Sequence, residues 1–330
     1  MKFMYALAGL AMSATAVLAA GDQVRIVGSS TVYPFTTTVA EAFGKQGHVT
    51  PIVEATGTGG GIKLFCSDVG PDSPSIVNAS RKIKDAEIEA CAKGGVSVPM
   101  EFKIGYDAIV LAHAKGYAMD LNTRQIYLAL AKRVIIDGQV IDNPYVKWSD
   151  INGGLPSNKI EVLGPPPTSG TRDSFVELVL EKECKALIKE YNMTVSADEE
   201  KSLCKSVRED GGYVEAGEND NLIVQKLQAN PTAVGVFGYS FLEENLNVLE
   251  GATVNGFTPE FESIVTGEYP ISRPLFIYVK TEHYDVSPEV KAFVAEFISE
   301  KAIGEEGYLV AKGLIPMSKK ELDQAISSVQ

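Results

Sequence analysis
The chain has 330 residues, 45% hydrophobic and 22% charged, which is enough to bury a substantial core and too ordinary a composition for a disordered chain. At roughly 150 residues per domain, the length predicts two domains. Thirty Lys and Arg against 43 Asp and Glu give a net charge of −13, which excludes nucleic acid and anionic membrane surfaces as partners; taken alone it counts against small anions as well.

The chain starts with Met1–Lys2, an apolar stretch from Phe3 to Ala19, and small residues around Val17–Ala20. This pattern predicts a signal peptide over 1–20, cut after Ala19 or Ala20, and therefore export. The apolar run is short for a bilayer span, and no later segment is apolar for that length, so the mature chain is expected to be soluble. No Cys sits at the cleavage point, which argues against a lipid anchor. Loss of Lys2 takes the charge from −13 to −14.

Gln23–Val27 reads as a strand, and Val32 to Phe43 carries apolar residues at helical spacing. Thr50–Glu54 is a predicted strand, followed by a glycine-rich turn, a short helix near Ile62–Asp68, the strand Ser75–Ala79 and a helix over Asp85–Ala92. Such alternation predicts an α/β fold with mixed, mostly parallel sheets flanked by helices. Phe102–Ala114 is long for one strand and is expected to cross from one lobe into another. The second region continues with helix Thr123–Lys132, a loop at Trp148–Ile151, strand Ile160–Leu163, helix Thr171–Ile188, helix Asp220–Leu227 and strand Ala233–Phe237. Pro274–Val279 is the expected return crossing, with helices Pro288–Ser299 and Ala302–Lys312 completing the first lobe. The expected division is lobe 1 over 21–104 and 273–330 and lobe 2 over 105–272, with two crossing segments as a hinge and a ligand cleft between the lobes.

Four cysteines in an exported chain favour disulfides. Of the three possible pairings, Cys66–Cys91 and Cys184–Cys204 close the shortest loops. No clustered Cys/His spacing supports a metal site, and no cofactor is expected.

Three segments place small hydroxyl residues and glycines after a strand and before a helix: Gly28–Ser29–Ser30–Thr31, Gly57–Thr58–Gly59–Gly60–Gly61 and Thr168–Ser169–Gly170–Thr171. Each alone can be an ordinary helix cap. Together they offer unpaired backbone N–H groups, helix-dipole ends and hydroxyl donors to an oxyanion. The Gly57–Lys63 run has neither the GxxxxGK[ST] nor the GxGxxG spacing of nucleotide sites, and no GxSxG elbow occurs. His48, His113 and His283 lie far apart and without catalytic context. Arg81, at the end of a predicted strand, is placed to fork onto an oxyanion or, alternatively, onto a surface carboxylate. Arg172 at a helix start ranks below it, because its side chain can point outwards.

These segments resemble the periplasmic phosphate-binding protein of the high-affinity phosphate ABC transporter. The motifs, spread over nearly the whole mature chain, are GSSTVYPF at 28–35, TGTGGGIKLFC at 56–66, NASRKI at 78–83, GYDAIVLA at 105–112, WSDI at 148–151, TSGTRDSF at 168–175 and AVGVFGYSF at 233–241. The resemblance implies a hinged two-lobed receptor, expected to be monomeric, that binds inorganic phosphate and delivers it to a membrane permease. It implies phosphate donors at Ser30, Thr31, Thr58, Gly59, Ser169, Gly170 and Thr171, with Ser29 beside them. Some family members carry an Asp at the position of Arg81 and an Arg before the SGT turn. Here that turn follows Pro165–Pro166–Pro167, and Arg81 is expected to supply the missing charge. A buried carboxylate that accepts the phosphate proton would repel fully ionised sulfate; Asp107, Asp173 and Asp220 are the candidates. Asp220 and Asn221 can instead cap a helix, and Tyr239 can line the cleft or only pack. The alternatives are a receptor for another tetrahedral oxyanion, sulfate or arsenate, a secreted phosphatase or hydrolase using Ser30 or Ser169, and an extracellular scaffold on the same fold.

Overall fold
A computed structural model describes residues 23–117, 119–217 and 220–329. The expected signal peptide lies outside the described residues.

Nine strands form one curled sheet among the described residues: β1 (Arg25–Gly28), β2 (Ile52–Ala55), β3 (Ile76–Ala79), β4 (Met100–Ala114), β5 (Val162–Gly164), β6 (Tyr213–Glu215), β7 (Val234–Gly238), β8 (Leu249–Gly251) and β9 (Ser272–Val279). The spatial order is β2-β1-β3-β9-β4-β7-β5-β6, with β8 also on β4. At one end β2, β1 and β3 are parallel, and at the other β7, β5 and β6 are parallel. β4 and β9 join them as antiparallel strands. Two parallel three-strand units with helical crossovers thus share a central pair of crossing strands, the two-lobed architecture that the alternating pattern predicts.

Alternate residues of the first unit point to opposite faces. Ile26 and Ile76 pack on one side with helix Tyr33–Lys45, which buries Phe35, Val39, Ala40 and Phe43 and meets Phe293 of helix Pro288–Phe297 edge to face. Val27 and Val77 pack on the other side with Ile62, Phe65 and the Cys66–Cys91 disulfide. The second disulfide, Cys184–Cys204, ties helix Lys182–Glu190 to helix Ala197–Lys205. Both pairings are those with the shortest loops.

The crossing pair changes register where it leaves the first unit. β9 pairs with β4 from Met100 to Lys103, skips Ile104, and resumes at Gly105, opposite Leu275. Gly105 is required there, because its φ is 148° and a Cβ would lie 2.6 Å from the Ile315 carbonyl oxygen.

Several elements depart from the sequence pattern. Trp148–Ile151 is a short helix rather than a loop, held by Asp150, whose carboxylate accepts from the Lys147 N–H. Ala302–Lys312 is not continuous: helix Glu300–Ile303 stops at Gly304, where a Cβ would meet the Glu300 carbonyl oxygen, and a single 3-10 turn follows at Val310–Lys312. Helix Lys319–Ser327 and the hairpin Arg133–Ile136 with Gln139–Asp142 are not among the predicted elements, although the Ser318–Glu321 capping box and the Asp137–Gly138 turn are sequence signals for them.

Candidate functional site
Strand β1 ends at Gly28, whose φ is 129° and whose missing Cβ would lie 2.2 Å from the Asn78 carbonyl oxygen of β3. The chain can therefore turn tightly into Ser29–Ser30–Thr31 before helix Tyr33–Lys45. The Ser29 hydroxyl accepts from the Val32 N–H at 3.4 Å, so it serves the loop itself. The Ser30 and Thr31 amides have no acceptor among the described residues. A second loop turns at Gly57, φ 72°, into helix Thr58–Phe65. Its first amides, at Thr58, Gly59 and Gly60, precede the first intrahelical bond, which runs from Gly61 N–H to the Gly57 carbonyl at 2.9 Å. Both loops touch: a Cβ on Gly61 would lie 2.4 Å from Gly28 Cα. The third loop leaves β3 at Ser80, whose N–H donates to Thr58 Oγ1 at 3.1 Å, with the two hydroxyls 3.0 Å apart.

Arg81 follows, and its guanidinium forks onto Glu87 at 2.9 and 2.8 Å. That hydrogen bonding raises the Arg81 pKa and lowers that of Glu87. The guanidinium lies beside Gly59, where a Cβ would be 3.9 Å from Nη2. Its charge is thus already balanced by Glu87.

From the second unit, β5 runs through Pro165–Pro167 to Ser169, and a continuous helical run begins at Gly170, passing through a π turn at Val176–Glu181. Its start faces the first loop, since a Cβ on Gly170 would lie 3.6 Å from the Ser30 carbonyl oxygen. Ser30 Oγ donates to Asp173 Oδ2 at 3.2 Å. Behind this contact Arg273, on crossing strand β9 and only 7% exposed, pairs in register with Asp107 of β4. It donates through Nη1 to Glu177 at 2.6 Å, through Nη2 to Thr31 Oγ1 at 2.8 Å and Ser174 Oγ at 2.9 Å, and through Nε to Asp107 at 3.4 Å.

The loops enclose a cavity of about 370 Å³, lined by Ser29–Thr31, Gly57–Gly60, Ser80, Arg81, Asp173, Glu177, Glu181 and Lys205. Lys205 is held by Glu181 at 2.8 Å. Three carboxylates against two cations line it, so its walls carry no excess of positive charge. What it offers an anion is a dense set of amide and hydroxyl donors at helix starts. Among the described residues no cluster of His, Cys, Asp and Glu is arranged to hold a metal ion.

Residues 13–301 match a family model described as a PBP superfamily domain. The chain belongs to the PBP superfamily. It is 32% identical over 274 residues to Protein SphX of Synechococcus elongatus, covering 81% of this chain and 70% of that one. It is 29% identical over 315 residues to the Phosphate-binding protein PstS of Staphylococcus saprophyticus, covering 92% and 82%. A crystal structure of a possible phosphate binding protein from Planctomyces limnophilus superposes with a TM-score of 0.74 at 28% identity, over 93% of this chain and 98% of that one.

In this PBP-superfamily chain, Ser29, Ser30, Thr31, Thr58, Gly59, Arg81 and Asp173 line one cavity, with the helix start at Ser169–Gly170–Thr171 adjoining it. The remaining candidates lie elsewhere. Arg172 neither points outwards nor enters the cavity; it is buried, donates to the Pro165 carbonyl at 3.1 Å and stacks 4.2 Å over the Tyr213 ring. Burial pushes the Tyr213 hydroxyl up to about 12, against the pull of Arg172. Asp107 sits behind the cavity, accepting from Ser174 at 3.0 Å and from Arg273. Asp220 and Asn221 open helix Asp220–Ala229 and are not among the lining residues. Tyr239 donates to Glu243 at 3.1 Å and lines a different cavity, with Phe261, Leu314 and Met317. His48 stacks on Phe43, and His283 bonds Ser75 and the Val69 carbonyl; both are structural contacts.

Sequence reasoning missed Ser80, Glu177, Glu181, Lys205 and Arg273. Arg273 alone had a signal: a cation at the head of a strand that is otherwise apolar, one residue before the expected start. Lys205 lines the cavity next to Cys204, which is tied to Cys184, and pairs with Glu181.

Proposed function
We propose that this chain is an extracytoplasmic receptor that captures inorganic phosphate in the interlobe cleft and delivers it to an ABC transporter permease for uptake. The observation that carries the proposal is the convergence of the Ser30–Thr31 and Thr58–Gly60 amides, from two touching loops, with a third helix start at Gly170 facing them. That set of donors suits a tetrahedral oxyanion, and the PstS relative named above is a phosphate-binding protein. Export by a signal peptide over 1–20 and a periplasmic location belong to the same proposal; no helix among the described residues is long and apolar enough to cross a membrane.

The chain acts as a monomer and as a receptor rather than an enzyme. Phosphate oxygens are held by the Ser30, Thr31, Thr58 and Gly59 donors from lobe 1 and by the Ser169–Gly170–Thr171 helix start from lobe 2. Arg81, neutralised by Glu87, shapes the wall beside Gly59. Asp173 accepts the phosphate proton, an assignment supported by its position in the cavity wall beside Ser30 Oγ. The lobe boundaries at 104/105 and 272/273 are supported by the register change at Gly105 and Leu275.

Calorimetry of the mature chain tests the proposal. One phosphate per chain and much weaker sulfate binding are expected; no phosphate binding, or equal affinity for sulfate, would refute it.

A further inference from the structure
The cross-lobe bonds behind the cavity form a directed chain. Ser174 Oγ donates its only proton to Asp107 Oδ2 at 3.0 Å. In its 3.2 Å contact with Thr31 Oγ1, Ser174 must therefore be the acceptor and Thr31 the donor. Arg273 Nη2 donates one N–H to each of these hydroxyls, one on the first-lobe loop and one on the second-lobe helix. With Nε on Asp107 and Nη1 on Glu177, four of its five N–H groups are committed to protein acceptors. Arg273 is also absent from the residues that line the cavity. The Thr31 hydroxyl is spent in the same network, which leaves the Thr31 backbone N–H, not its side chain, for an anion.

We propose that Arg273 is the latch of the cleft: a positioning residue that sets the balance between open and closed lobes by bonding Thr31 and Ser174 together, and not a ligand of the bound anion. The proposal rests on the phosphate-receptor function above. Its location supports it, because Arg273 and Asp107 are paired residues on the two crossing strands, between the first-lobe loop that bears Thr31 and the second-lobe helix that bears Ser174. In such a two-state molecule the apparent affinity scales with the population of the closed form, so the latch acts on affinity without touching phosphate.

The experiment labels Glu41→Cys and Lys189→Cys, exposed positions on the two lobes, for an interlobe distance by energy transfer; the native cysteines are in disulfides and there is no free cysteine among the described residues. The closed fraction and phosphate affinity are read together. Arg273→Gln is expected to lower the closed fraction in the absence of anion and to weaken apparent affinity by about 10- to 100-fold, an effect of the size of one or two charge-assisted hydrogen bonds. Thr31→Val, which keeps the amide, is expected to act in the same direction, and the double variant to be no worse than Arg273→Gln, since both remove one network. A closed fraction without anion that is unchanged in Arg273→Gln, with only a weaker affinity, would make Arg273 a ligand and overturn the proposal; so would unchanged closure and affinity. Should Arg273→Gln fail to fold, Arg273→Lys, whose single ammonium cannot span all four acceptors, serves in its place and is expected to show the same loss of closure. If the wild type binds no phosphate, the receptor function fails, while the distance without anion in wild type against Arg273→Gln still reads the latch.

Discussion

The contact between Gly61 and Gly28 makes the sharpest demand on the proposed site. An alanine at 61 places Cβ 2.4 Å from Gly28 Cα and 2.8 Å from its nitrogen, whereas nonbonded heavy atoms rest near 3.5 Å. The neighbour is backbone, so no side chain can swing aside, and the two loops must separate by about 1 Å. Gly61 lies within a helix and has no positive φ, so the cost is one of overpacking, about 1 to 3 kcal/mol. The functional loss should be the larger signal: a displacement of about 1 Å in a preorganised donor set costs on the order of 100-fold. Calorimetric titration with phosphate and thermal unfolding, run on Gly61→Ala and on wild type, measure both quantities. Gly153→Ala is the control, since a Cβ there meets nothing within 4 Å. Wild-type affinity and Tm in Gly61→Ala would refute the claim that the touching loops form one anion site.

Asp173→Asn should relax selectivity. An anion held by the Ser30 donors would lie about 4 Å from the carboxylate, where like charges repel by about 1 kcal/mol in water and about 4 at an effective dielectric of 20. Sulfate affinity should rise by roughly 5- to 1,000-fold, and unchanged sulfate binding in a titration would dismiss Asp173 as the acceptor. Lys280 gives a pH prediction. It is fully buried, donates to the Asp68 carbonyl at 2.6 Å and Ser73 Oγ at 2.8 Å, and burial pushes its ammonium from 10.5 down to about 8. Between those pH values the unfolded chain holds a proton that the folded chain has released, so stability relative to Lys280→Met should rise with pH across that window, by up to about 3 kcal/mol. Denaturant titrations showing a flat or falling difference would contradict it. Replacing both Cys184 and Cys204 by Ala should cost about 3 kcal/mol and lower Tm by about 5 °C. Phosphate affinity should weaken too, because Lys205 follows Cys204; an unchanged Tm would remove the disulfide from the account.

Much of the site was legible because its chemistry is local. The Ser30–Thr31, Thr58–Gly59 and Ser169–Thr171 segments announce themselves as glycine and hydroxyl residues between a strand and a helix, and such an element carries its donors wherever it goes. Arg81 was legible as a strand-end cation but not as the partner of Glu87, six residues on across a turn. Arg172 illustrates the same limit. One residue of helix rotation turns a side chain by about 100°, which separates the cavity wall at Asp173 from the Tyr213 ring beneath Arg172.

The sequence by itself determined two lobes, two crossing strands and the three donor turns, since each rests on a period, a count or a short motif, whereas the disulfide pairing was one of three until the structure brought the sulfurs together. Its acidity looked like an argument against anions, but net charge acts over the whole molecule, while at short range the cavity presents helix-start amides beside charged side chains that are already paired, Arg81 with Glu87 and Lys205 with Glu181. Only the tertiary structure decided that Gly28 and Gly61 touch, that Arg273 joins Thr31 to Ser174 across the lobes, and that Lys205 reaches the cleft. Those contacts join residues 33, 242, 99 and more positions apart in the chain, and what brings them together is the packing of two lobes on one pair of crossing strands.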